Sequence, residues 1–83
     1  MTMATKMATQ PNTQLRKRAE ALFVSALQPS DRPAPQQVRE AIATSLRAHR
    51  GASGCAAKMA AEYGEHPEQA ASRMRWALEL AAA

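Results

Sequence analysis

The chain has little of what small-molecule chemistry is usually built from. Its one cysteine, Cys55, excludes an internal disulfide and any multi-cysteine metal site. Its three glycines form no phosphate-cradling loop, and no His, Cys, Asp and Glu residues cluster at metal-ligand spacing. Glu65 and Glu68 are three apart, but nothing beside them suggests a pocket for paired-carboxylate catalysis, so they read as capping and solvation charges. No internal repeat is present. No apolar run approaches the roughly 18 residues expected of a membrane span. No secretory apolar segment opens the sequence. Large apolar side chains are also scarce. The hydrophobic fraction is 46%, but twenty of those residues are alanine. Together these absences predict a non-enzymatic chain with no cofactor, no metal, no small-molecule substrate and no membrane segment.

What is present is helical. Eighty-three residues allow one domain, expected over residues 12–83 after a flexible N-terminal tail at 1–11. Asn12 or Thr13 offers an N-cap. Leu15, Ala19, Leu22, Phe23, Ala26 and Leu27 then mark one helical face. The stretch Pro29 to Pro35 carries three prolines and breaks the pattern. Val38, Ala41, Ile42, Ser45, Leu46 and His49 restore it, and Gly51 ends it. Cys55, Met59 and Tyr63 line a third helix, in which Cys55 reads as a small buried apolar residue. Ala70, Met74, Ala77, Leu78 and Ala81 form the inner face of a fourth. The expected fold is all-α, a small four-helix bundle with helices near 12–28, 35–50, 53–63 and 67–81. An alanine-heavy core is thin at this size. Either the helices approach closely through alanine, or a partner chain completes the core.

Eleven basic residues face seven acidic ones, with an isoelectric point near 10.0. Such a balance permits attraction to nucleic acid, and a solvated basic face explains it equally well. Arg16, Lys17 and Arg18 cluster on the first helix. The acid-free stretch before Glu20 is shared with transit peptides, but Leu15 to Leu27 reads as a domain helix. The lone cysteine fits a reducing compartment, so a cytoplasmic location is expected. Richness in alanine and arginine suits a bacterium of high genomic GC content.

The stretch AAEYGEHPEQAASRMR, within Ala56 to Arg75, resembles the helix-turn-helix DNA-binding superfamily. Ala60, Gly64, Pro67, Ala70 and Met74 fall on the motif's small, glycine, helix-start and apolar positions. Glu65 stands where the family usually carries a buried apolar residue. The resemblance implies a helix-turn-helix-like hairpin, with Gly64 at positive φ ending its first helix and Pro67 opening its second. It also implies a bacterial transcriptional regulator whose second helix enters a DNA groove. On that reading Lys58, His66, Ser72, Arg73 and Arg75 join Arg16, Lys17 and Arg18 in contacting DNA. The RMRWA ending is also similar to that of small actinobacterial proteins. The other reading is a helical module that binds a protein partner or itself. Trp76 and Leu80, four apart on one flank of the last helix, are the expected partner or dimer contact. Trp76 packed back on the first helix is the competing expectation.

Overall fold

A computed structural model describes the side chains of residues 13–83 and the backbone from Thr2. The tail expected at residues 1–11 therefore lies outside the residues described with their side chains. The described residues form four α-helices and no strand: α1 (Thr2–Phe23), α2 (Pro35–Ala48), α3 (Ala52–Glu65) and α4 (Pro67–Ala82). A short 3-10 turn, Pro29–Asp31, interrupts the connection from α1 to α2. Among these residues no helix is long and apolar enough to cross a membrane.

The helix boundaries follow from local chemistry. Pro35 and Pro67 each stand at the first helical position, where a missing N–H costs nothing. Before α2, the Ala34 N–H donates to Gln37 Oε1 at 2.7 Å, which satisfies the entry backbone. The Gln28 N–H donates likewise to Asp31 Oδ2 at 2.8 Å at the 3-10 turn. Between α2 and α3 the chain reverses through two left-handed residues, Arg50 at φ 61° and Gly51 at φ 97°. With ψ at −172°, Gly51 occupies a region that is essentially glycine-only.

α1 is the hub. It packs most extensively on α4 and also meets α2 and α3. The buried core cluster is Ala19, Leu22, Phe23, Val38, Ala70, Ala77 and Ala81. Alanines on α1 and α4 bring the two helices together, and Leu22 is the largest fully buried apolar side chain. Around this centre Leu15, Ile42, Met59, Tyr63, Met74, Trp76 and Leu80 are only half-buried.

Three local expectations are corrected. The first helix ends at Phe23 rather than near residue 28; there the Ser25 N–H and hydroxyl both donate to the Leu22 carbonyl, at 3.1 and 2.6 Å, in place of a continuing α-helical bond. Gly64 lies inside α3, which continues to Glu65, and its φ is not positive. Leu78, expected on the inner face of α4, is exposed at 38%. That face instead runs through Ala70, Ala77 and Ala81, and places Leu78 beyond its edge.

Candidate functional site

Arg73 has the most extensive set of contacts. Its Nε donates to the Phe23 carbonyl at 2.6 Å. One terminal nitrogen donates to the carbonyls of Leu27 at 2.9 Å, Ser25 at 3.0 Å and, more weakly, Leu22 at 3.5 Å. The end of a helix leaves carbonyls without intrahelical partners, and the dipole concentrates negative charge there. A planar guanidinium meets both needs at once. The same group lies 4.7 Å from the Trp76 ring centroid and 5.9 Å from that of Phe23. Phe23 in turn stacks on Tyr63 at 6.0 Å between centroids. Residues of α1, α3 and α4 thus meet around one cation. Burial lowers the pKa of Arg73 from its ordinary value.

The other basic side chains named from the sequence divide into separate surfaces. Arg16, Lys17 and Arg18 are exposed on α1. Lys17 and Arg18 line a cleft of about 360 Å³ with Gln14, Ile42, Leu46, Gly51 and Ala52. Arg18 also lines a second cleft, of about 180 Å³, with Pro33, Pro35, Val38, Arg39, Leu80 and Ala83. Lys58 sits elsewhere, in a cleft with Phe23, Val24, Glu62 and Arg73. It approaches Glu62 at 3.7 Å, one helical turn away, in an exposed ion pair of small energetic consequence.

His66, Ser72 and Arg75 are exposed at the α3–α4 hairpin. His66 alone joins the two helices. Its N–H donates to the Glu62 carbonyl at 2.7 Å, and its carbonyl accepts from the Ala70 N–H at 2.8 Å. Ser72 and Arg75 belong to an exposed stripe of α4 that reads Glu68, Ser72, Arg75, Glu79. The stripe carries two negative charges against one positive. Trp76 is half-buried under Arg73, and Leu80 is half-buried beside Arg18 and Arg39.

Charge divides with the fold. Residues 13–51, from α1 through α2, hold seven basic and three acidic side chains. Residues 52–83, the hairpin, hold three basic and four acidic. Arg39, Ile42 and Leu46 were not singled out as surface residues from the sequence. The spacing of Val38, Ile42 and Leu46 marked them for the core, and no local pattern separates a core stripe from a groove floor.

Cys55 is fully buried, and its thiol faces the Ser45 carbonyl at 3.7 Å. Burial, with the charge of Glu20 as a lesser cause, raises its pKa above the ordinary thiol value. A buried, protonated thiol is a poor nucleophile. Among the described residues no group of three or more His, Cys, Asp or Glu side chains is placed to hold a metal. No family model, curated protein or solved structure matches the chain.

Proposed function

We propose that the chain is a non-enzymatic helical module that binds another protein. The observation that carries this reading is the incomplete burial of its large apolar side chains. Leu15, Val24, Leu27, Ile42, Leu46, Met59, Tyr63, Met74, Trp76 and Leu80 all retain partial exposure, and Leu78 is exposed. A domain whose closed core is mostly alanine leaves apolar surface for a partner to cover.

DNA binding through the hairpin is the second reading. It is favoured by the exposure of His66, Ser72 and Arg75 and by the excess of basic residues. The hairpin's own charge opposes it, because Glu68 and Glu79 flank Arg75 and would approach phosphates. Arg73 Nε and one of its terminal nitrogens are also committed to the carbonyls of Phe23, Ser25 and Leu27.

Titration of labelled duplex DNA at low salt, read by fluorescence anisotropy, tests the choice. The expected result is at most a weak, salt-sensitive complex that Arg75→Ala leaves unchanged. A complex that survives physiological salt and is lost in Arg75→Ala would assign the module to DNA instead.

A further inference from the structure

The two clefts share Arg18, and residues of α2 line both. The larger is floored by Ile42 and Leu46, the smaller by Val38 and Pro35. Pro35, Val38, Ile42 and Leu46 recur at intervals of three or four along a single helix, so they form one stripe of α2. From Pro35 to Leu46 this stripe extends about 17 Å at the usual helical rise. That length accepts about three turns of another helix. The stripe is incompletely covered. Ile42 and Leu46 keep part of their surface, and Leu46 is not among the side chains packed on the core cluster.

The rim is basic. Lys17 and Arg18 border the groove from α1 and Arg39 from α2, and no carboxylate side chain lines either cleft. Among the described residues none of these three cations has an ion-pair partner, the one salt bridge being Lys58 to Glu62. An apolar floor edged by unpaired cations is complementary to a helix with an apolar stripe and acidic flanks.

Resting on the protein-binding reading above, we infer that the α1–α2 groove docks an acidic amphipathic helix of another protein. Apolar side chains at positions i, i+4 and i+7 of that helix lie over Ile42, Leu46 and the rim of Val38. Its carboxylates face Lys17, Arg18 and Arg39. A phosphate backbone would satisfy the cations but leave the apolar floor uncovered.

Selection of a displayed library of helix-biased peptides, about three turns long, against the full chain tests this inference. The enriched peptides are expected to be acidic, with apolar anchors at i, i+4 and i+7. Fluorescence anisotropy of the best peptide should show at least about tenfold weaker binding to the Lys17→Glu/Arg18→Glu chain and to Arg39→Glu. These positions are exposed, and circular dichroism verifies that each variant keeps its fold. Raising salt should weaken the wild type more than the variants.

Enriched peptides without net negative charge, or peptides indifferent to all three substitutions, would overturn the groove assignment. If those peptides instead lose binding in Trp76→Ala, the protein-binding reading stands and only the groove fails. Recovery of no peptide, together with duplex DNA binding that the same charge reversals abolish, would overturn both. Sedimentation of the chain alone covers the remaining occupant. A concentration-dependent dimer that the charge reversals dissociate would give the groove to a second copy.

Discussion

Arg73 shows how one side chain can serve a role that its residue type does not announce. On the exposed face of a helix an arginine is a phosphate or carboxylate binder. Here it holds the last carbonyl of α1 at Phe23 and the turn that follows at Ser25 and Leu27, and it lies over the ring of Trp76. Truncation would leave several carbonyls dependent on water and remove the cation from two aromatic faces. Arg73→Ala is expected to lower stability by about 2–3 kcal/mol, the scale of a lost charged hydrogen-bonding group. Arg73→Lys should recover only part of this, because an ammonium cannot reproduce the planar fork. Thermal melts of the three proteins check the order. Equal midpoints for wild type and Arg73→Ala would remove the guanidinium from the fold's support.

At the scale of elements, the glycines mark the joints unequally. Gly54 sits in the first turn of α3, where a β-carbon would collide with the His49 carbonyl. Backbone cannot yield as a flexible side chain does, so Gly54→Ala is expected to cost about 1–3 kcal/mol through overpacking. Gly64 is the reverse case. It lies within α3 with open space where a β-carbon would project. Gly64→Ala is expected to stabilise the chain by about 0.5–1 kcal/mol, through helix propensity and a less free unfolded chain. Denaturant midpoints of the pair should move in opposite directions. A destabilised Gly64→Ala would mean that the α3–α4 turn needs the glycine after all. The hairpin therefore turns at His66 alone, without the left-handed glycine that its sequence resemblance implied.

At the scale of the molecule, the core is narrow, and a single buried thiol reports on it. Cys55 on α3 lies against the α2 carbonyl of Ser45 and feels Glu20 of α1. A disulfide reagent should therefore modify the native chain slowly at mildly alkaline pH and rapidly once it is unfolded. The raised pKa also fixes the sign of a pH effect. Above the ordinary thiol pKa the unfolded chain has lost this proton while the folded chain still holds it. The unfolded state then binds fewer protons, and stability falls as pH rises until the folded thiol ionises as well. Cys55→Ala should remove that part of the alkaline slope in unfolding titrations. Fast modification of the native chain, at a rate that denaturant does not change, would place the thiol outside the core.

The sequence by itself determined the helical class. The period of its apolar residues, the prolines that open α2 and α4, and Gly51 after α2 act within a few residues, and local chemistry suffices to read them. Its scarcity of large apolar residues likewise left two options, close packing through alanine or a core completed by a partner chain. The tertiary structure decided which part of each stripe is closed and which cations are free. Leu78 and Trp76 are two residues apart on α4, yet Leu78 is exposed and Trp76 lies under Arg73. Arg73 meets carbonyls 46 to 51 residues earlier in the chain, and no spacing rule reaches that far. Lys17 and Arg18 border Leu46 only because α1 and α2 pack side by side. Helical periodicity fixes a face to within a broad arc. The partner helices decide which residues inside that arc lose their water, and so which remain as a surface.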